Sequence, residues 1–290
     1  VPELPEVETI KSQLDLALKG LKITGVEVLK EKSFVGKAAE VVGGRVVGVE
    51  RRAKIFLIRL DNGRSLAVHL KMTGQLIFRP IADCQNPISE KEAEKDSRYD
   101  VGDLPNKYTR VVIDFDGGAK LFFNDLRIFG WMKVIGDSNF KLQSEKLGPE
   151  ATDRKAFSAA YFKKILGGSR RSVKLVIMDQ EKLAGVGNIY ANEALFMAGI
   201  DPQKAANRLS GAEAAKLRKA VIEVLEEAIA KKGTTDRDDA FRQSDGSRGG
   251  YQKYLRVYGR KGEKCPRCGG KIERIKIGGR GTFYCSKCQH

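Results

Sequence analysis

After Pro5 the apolar positions are Val7, Ile10, Leu14, Leu18 and Leu21. Steps of three and four put them on one face of an amphipathic helix, with Pro5 tolerated in the first turn and Gly20 near the end. From about Lys22 to Val134 the period drops to two. "ITGVEVL", "RVVGVERRAKIFLIRL", "RSLAVHLKMTGQLIF", "YTRVVIDF" and "AKLFFND" read as strands, and "DNG" (Asp61–Gly63) marks a hairpin turn. Strands following one another without intervening helices predict an antiparallel sandwich or barrel. The polar, charged stretch 81–107 interrupts the pattern as an insertion. From about Leu147 to Lys232 helical spacing dominates, in "DRKAFSAAYFKKIL", "NIYANEALFMAGI" and "SGAEAAKLRKAVIEVLEEAIAKK". The loop that follows, "GTTDRDDAFRQSDGSRGG", is of a length found where a loop is functional or disordered. The fold class is α+β, divided at 1–135, 136–245 and 246–290, and no internal repeat is visible.

Charge narrows the set of partners. The 290 residues hold 53 Lys and Arg against 37 Asp and Glu, a net +16. Such an excess favours a polyanion, because neutralising phosphates releases condensed counterions; an ordinary basic surface is the alternative. No apolar run of about 18 residues is present and no basic amphipathic helix with aromatics stands out, so a membrane is not expected as partner. The opening "VPELPEVETI" has no basic n-region and no apolar h-region, and is poor material for a secretory signal.

Four of the five cysteines fall in the last 26 residues, as Cys265-Pro-Arg-Cys268 and Cys285-Ser-Lys-Cys288; Cys84 stands alone in a polar stretch. Two Cys-x2-Cys knuckles can close a tetrahedral thiolate shell, which points to one structural zinc ion and a reducing compartment, with a disulfide or redox pair as the alternative. A four-thiolate shell leaves no open position for water activation. Between the knuckles "KIERIKIGGRGTFY" reads as a hairpin turning at glycines. Its tip carries Arg280, which is either delivered to a phosphate or solvated in the turn. "GVGNIY" lacks the third glycine of a dinucleotide-binding loop.

Together these stretches resemble bacterial formamidopyrimidine-DNA glycosylase. The resemblance runs through "PELPEVET", "RRAK", "HLKMTGQL", "FNDLRIFG", "LGPE", "AGVGNIYANEALF", "VYGRKGEKCPRCGG" and "GRGTFYCSKCQ", in order over nearly the whole chain. It implies an N-terminal catalytic β-sandwich, a helix–two-turn–helix domain with a lesion loop, and a C-terminal zinc finger. It further implies a bifunctional glycosylase and AP lyase of base excision repair that removes 8-oxoguanine and formamidopyrimidines opposite cytosine. The expected partner is double-stranded DNA with oxidised bases or abasic sites, met by a monomer in the bacterial cytoplasm at the nucleoid.

By this resemblance the nucleophile is the secondary amine of Pro2, which attacks sugar C1′. An α-amine has a reference pKa near ~8 and keeps a neutral fraction at pH 7. Val1 precedes Pro2 and blocks that nitrogen as an amide. The expectation is that Val1 is the literal reading of a GTG start codon and is trimmed as methionine in the cell; retained, it leaves an inactive protein. Glu3 is the implied general acid, although Glu3 and Glu6 also suit the positive end of a helix. Lys54, Lys174 and Arg280 are implied phosphate or active-site contacts, against the surface default for such residues. Asn188 suits an N-cap, an anion site, or both, and with Tyr190 is an implied DNA contact. Met72, Arg127 and Phe129 are implied to fill the hole left by an everted base, with Arg127 donating to the orphan cytosine. Met72 shares the strand phase of Leu66, Val68 and Leu70, which makes a core position its rival. Arg127 and Phe129, two apart, would share one face of a strand.

Leu126, Ile128 and Tyr108 depart from the family's usual residues, as do the long 81–107 insertion and the "DRDDAF" of the loop. These bear on lesion and opposite-base preference. The rival readings are an endonuclease VIII-type glycosylase for oxidised pyrimidines, against which "PELPE" and the long loop argue, a non-catalytic DNA-binding module, and a zinc-stabilised RNA-binding protein.

Overall fold

The computed structural model describes residues 2–80, 103–136, 146–235 and 240–290. Val1, Cys84, residues 81–102 of the insertion and residues 236–239 of the long loop lie outside the described residues. The chain groups into two units, Val1–Ser144 with Lys231–Gln252, and Glu145–Ala230 with Lys253–His290.

The first unit opens with helix α1 (Leu4–Leu18), which has Glu3 as N-cap and Pro5 in its first turn. There the missing proline N–H has no helical partner to lose. The predicted face is buried, with Val7, Ile10, Leu14 and Leu18 at most 1% exposed. Each contributes about 1.5–3 kcal/mol relative to exposure. Strands β1 (Ile23–Val28), β2 (Phe34–Val35), β3 (Val46–Arg52), β4 (Ile55–Leu60), β5 (Arg64–His69), β6 (Gly74–Arg79), β7 (Thr109–Phe115), β8 (Lys120–Asp125) and β9 (Trp131–Gly136) follow. They form two sheets, ordered β1-β7-β8-β6 and β2-β9-β5-β4-β3. Pairing is antiparallel except for the short β2 on β9. Ile23, Leu76, Ile113 and Phe123 of one sheet share a core with Val49, Phe56, Ile58, Val68 and Met132 of the other, which makes a sandwich rather than a barrel. Leu57, Ala67 and Ile135 are buried on the opposite face, which explains why "IFLI" and "SLAV" do not alternate cleanly.

Two predicted strands are each two strands. The run 45–60 breaks at Ala53 and Lys54, where Ala53 takes φ 54°. The run 64–78 breaks at residues 70–73, where Lys71 takes φ 53° and the Gly74 N–H donates to Leu70 O at 2.9 Å. A Cβ on Gly74 would lie 2.5 Å from that oxygen, so only glycine closes this corner. β5 and β6 then fall in different sheets. The long loop is tied to the sandwich by Gln75 Nε2 donating to Ala240 O at 2.9 Å, by Gln13 Nε2 donating to Gln243 at 2.8 Å, and by Phe241 in the core. Those ties group 231–252 with the first unit, although the stretches before and after it in sequence belong to the second.

In the second unit α2 (Ala159–Gly167), α3 (Val173–Ile177), α4 (Asn188–Ala198) and α5 (Gly211–Ala230) are followed by a hairpin of β10 (Glu273–Ile277) and β11 (Arg280–Tyr284). α2 starts later than its apolar pattern because Ser158 caps it, accepting from the Tyr161 N–H. α3 follows Ser172 in the same way and is too short to show a period. Every residue of α4 from Ile189 to Phe196 is buried, as in a helix surrounded by packing. Gly278 and Gly279 turn the hairpin with φ 54° and 76°, the positive values a two-residue turn of this kind requires. Among the described residues no helix is long and apolar enough to cross a membrane.

Candidate active site and metal centre

Pro2 and Glu3 stand at the mouth of α1, both buried. The Glu6 carboxylate, 1% exposed, accepts the Glu3 N–H on Oε2 at 2.7 Å and the Thr234 N–H on Oε1 at 2.7 Å. These charge-assisted bonds hold the start of the chain and the start of the long loop to one anchor. Gly233 lies so close that a Cβ there would meet Glu6 Oε1 at 2.9 Å. From sequence Glu6 only suits the positive end of a helix; in the structure it accepts these two backbone N–H groups.

Lys54, half-buried, occupies the β3–β4 turn. Arg51 donates through Nε to Glu8 at 2.6 Å and through Nη1 to Ala53 O at 3.0 Å, tying this turn to the helix that begins behind Glu3. His69, at the end of β5, was not singled out from sequence. Burial first, then the charges of Lys71 and Lys54, push its pKa down to about 3. Its Nδ1 accepts the Lys71 N–H at 2.9 Å, which leaves the ring proton on Nε2. Lys54, Lys71 and a neutral imidazole donor thus lie in one positive field. The available signal was a histidine set between apolar and basic residues in "HLKM".

Met72 is not in strand phase and is not a core residue. The positive φ of Lys71 ends the alternation, and Met72 is partly exposed. Arg127 and Phe129 do not share a strand either: they lie in the irregular segment between β8 and β9, separated by Ile128 at φ 56°. Phe129 is 55% exposed, a high value for a phenylalanine. The structure brings Arg127 and Met72 together, with Arg127 Nη1 3.4 Å from Met72 Sδ, and Phe129 follows Arg127 by two residues.

In the second unit Lys174 is fully buried, so it is not a surface contact. Its Nζ donates to Asn188 Oδ1 at 2.7 Å, Thr282 Oγ1 at 2.7 Å and Gly281 O at 3.2 Å. Asn188 Nδ2 also donates to Gly281 O, at 3.1 Å. Asn188 is the first helical residue of α4 and Gly187 is the N-cap, so the asparagine is free to reach sideways to the hairpin. Both side chains grip the strand directly behind exposed Arg280. Tyr190 is 1% exposed inside α4, which places its ring in packing rather than on a DNA-facing surface. Glu193, also missed from sequence, accepts backbone N–H groups from Arg256, Val257 and Tyr258 at 2.8–3.0 Å. Burial nevertheless raises its pKa.

The four cysteine sulfurs at 265, 268, 285 and 288 all lie within 4.8 Å of one another. Cys265 and Cys288 are 3.9 Å apart and Cys268 and Cys285 3.6 Å. A tetrahedron with zinc–sulfur bonds of about 2.3 Å has edges of about 3.8 Å, whereas a disulfide needs about 2.05 Å. The donor set fits zinc and excludes the disulfide alternative in this arrangement.

Three family descriptions match: "Formamidopyrimidine-DNA glycosylase N-terminal domain" over residues 1–132, "Formamidopyrimidine-DNA glycosylase H2TH domain" over 147–239, and "Zinc finger found in FPG and IleRS" over 262–290. The formamidopyrimidine-DNA glycosylases of Pelotomaculum thermopropionicum and Desulforamulus reducens are 38% and 39% identical, over 100% of this chain and 99% of each relative. The crystal structure of the MutM (Fpg) protein from Thermus thermophilus is similar with TM-score 0.84 at 36% identity, covering 99% of this chain and 98% of that one. A Lactococcus lactis Fpg mutant in complex with DNA containing Fapy-dG is similar with TM-score 0.85 at 31% identity over the full length of both. From its sandwich through its helices to its cysteine hairpin, the chain belongs to the formamidopyrimidine-DNA glycosylase family.

Proposed function

We propose that the protein is a bifunctional DNA glycosylase and AP lyase that removes 8-oxoguanine and formamidopyrimidines from duplex DNA through Pro2. The observation that carries this reading is the anchored N-terminus: Glu6 holds the Glu3 N–H and so fixes Pro2 and Glu3 at the mouth of α1. The chemistry requires Pro2 to be the first residue. Its nitrogen lone pair then bonds to C1′ while Glu3 gives a proton to the ring oxygen as the C1′–O bond breaks. The base departs with the electrons of its glycosidic bond, leaving an iminium. That cation acidifies the C2′ proton, whose loss expels the 3′ phosphate, and a second elimination expels the 5′ phosphate. Water then hydrolyses the imine and frees Pro2.

Lys54, Lys71 and neutral His69 supply donors for phosphate oxygens beside the lesion. Met72, Arg127 and Phe129 fill the space of the everted base, and Arg127 donates to the unpaired cytosine. Lys174 and Asn188 hold the hairpin from which Arg280 reaches phosphate. One structural zinc ion per chain is held by Cys265, Cys268, Cys285 and Cys288, and keeps that hairpin folded. The protein acts as a monomer.

Borohydride trapping tests the reading. A chain shown to begin at Pro2 is expected to become covalently attached to a duplex with 8-oxoguanine opposite cytosine, and to cut it faster than one carrying thymine glycol. Absence of any cross-link overturns the mechanism; faster cutting of the thymine glycol duplex overturns the substrate class.

A further inference from the structure

We infer that Asp125 is a positioning residue whose buried carboxylate locks Met72, Arg127 and Phe129 into one rigid wedge and thereby sets discrimination of the base opposite the lesion. The inference rests on the wedge reading above and adds what holds the wedge together. Asp125 ends β8 and is 0% exposed. Its backbone is fixed on both sides, its N–H donating to Tyr108 O at 2.9 Å and its carbonyl accepting Arg110 Nε at 2.7 Å.

Three donors converge on the carboxylate. Oδ1 accepts the Thr73 hydroxyl and the Arg127 N–H, the latter at 3.2 Å, and Oδ2 accepts the Gly130 N–H at 2.7 Å. The Thr73 oxygen itself accepts the Arg127 N–H at 3.0 Å. Thr73 is the neighbour of Met72, and Gly130 the neighbour of Phe129. Each wedge residue is therefore at most one peptide from this single side chain, although Met72 and Arg127 are 55 positions apart. Gly130 is required for the approach: a Cβ there would sit 3.1 Å from Oδ2, 2.9 Å from Phe123 Cζ and 3.1 Å from His69 O. The wedge side chains are exposed or half-exposed while their anchors, Thr73, Asp125 and Gly130, are buried. That division suits parts pushed into a base stack from a rigid mount.

Asp125→Asn is the discriminating substitution because the two side chains have the same shape. An amide has one acceptor oxygen, so a –NH2 group must face either the Gly130 N–H or the Thr73–Arg127 pair. Either orientation sets a donor against a donor: the –NH2 meets the Gly130 N–H in one and the Arg127 N–H in the other, where the Thr73 hydroxyl has to turn from donor to acceptor. In a chain beginning at Pro2, single-turnover excision of 8-oxoguanine opposite cytosine is expected to fall roughly 10- to 100-fold, the scale of a misplaced positioning group. The cytosine-over-adenine preference is expected to fall toward one. Cleavage at a preformed abasic site, where no base has to be everted, is expected to fall far less. Thr73→Val is expected to copy this pattern and Thr73→Ser to restore native behaviour.

A folded Asp125→Asn protein with native excision rate and native opposite-base ratio overturns the inference. Equal losses in excision and abasic cleavage overturn it as well, since they mark a general structural defect. Should Asp125→Asn not fold, the Thr73 pair decides by the same criteria. Arg127→Ala separates this inference from its foundation: native excision in Arg127→Ala refutes the wedge reading itself. A loss in Arg127→Ala without one in Asp125→Asn refutes only the role of Asp125.

Discussion

His69→Asn should remove a specific part of the protein's acid sensitivity. Protonating His69 would place an N–H on Nδ1, against the Lys71 N–H that donates to it at 2.9 Å, and would add a charge beside Lys71 and Lys54. Burial and those two charges hold the imidazole neutral down to about 3, against 6.5 for an unperturbed histidine. Between those values the unfolded chain binds a proton that the folded chain refuses. Stability from this group is therefore complete above pH 6.5 and is lost as pH falls toward 3. The loss works out at about 2 kcal/mol by pH 5 and about 3 kcal/mol by pH 4. Asparagine preserves an acceptor near the Nδ1 position and does not titrate. Carboxylates contribute equally to both proteins, so the difference between them isolates His69. Urea unfolding followed by Trp131 fluorescence reads the right unit: it is the only tryptophan of the chain, and its ring centre lies 5.8 Å from that of His69. Between pH 7.5 and 5 the native chain should lose about 2 kcal/mol more than the variant. Identical pH dependence refutes the reasoning, as does an imidazole NMR titration near 6.5 in a His290→Gln background, where His69 is the sole histidine.

Glu6→Gln leaves one acceptor for two backbone N–H groups and should cost about 1–3 kcal/mol in Trp131-monitored unfolding. On the proposed reading it also slows borohydride trapping through Pro2, and native values of both would count against the anchor. Lys174→Met should weaken DNA binding by loosening the Arg280 hairpin, so Arg280→Ala should add little to it in a double-mutant cycle. Fully additive losses, measured by titration with an abasic duplex, would instead make Lys174 a direct contact. Chelation should remove one zinc ion per chain and abolish DNA binding before it affects folding of the sandwich. Tight binding after metal loss verified by elemental analysis would contradict a structural role for the ion.

Local patterns made much of the fold legible. The 3–4 spacing of α1, the "DNG" turn and the paired Cys-x2-Cys knuckles each depend on neighbours within a few residues, and each stands where its pattern puts it. The breaks at Ala53, Lys71 and Ile128 were not legible, because alanine, lysine and isoleucine rarely take positive φ and nothing in composition announces it. Those breaks are why Met72 leaves the strand phase and why Arg127 and Phe129 leave the strand. Lys174 reads as a surface lysine because its partner Thr282 is 108 positions away. Tyr190 is hidden by packing on every side of α4, which no single-helix period reveals. Asp125 was more accessible to reasoning: an aspartate at a strand end, with its carboxylate over the N–H two residues on, is a recognised turn former.

The four described non-glycine residues with positive φ are Ala53, Lys71, Ile128 and Lys232. Each adjoins a candidate site residue or its anchor: Lys54, Met72, the Arg127–Phe129 pair, and the Gly233–Thr234 start of the loop. Such backbone costs of order 1–3 kcal/mol each and persists only where the surroundings over-determine it. Here the restraint is visible in every case. Arg51 holds the Ala53 carbonyl, His69 Nδ1 takes the Lys71 N–H, Asp125 brackets Ile128 from both sides, and Glu6 takes the N–H of Thr234, two residues after Lys232. Glycine would relieve the strain locally but would release the chain to many conformations. It would also delete the buried Cβ of Ala53 and the Lys71 charge that, after burial, pushes the His69 pKa down. The strained corners and the hydrogen bonds that clamp them therefore form one device: they spend stability to keep the candidate site side chains in a single arrangement, which is what acting on one base in a long duplex demands.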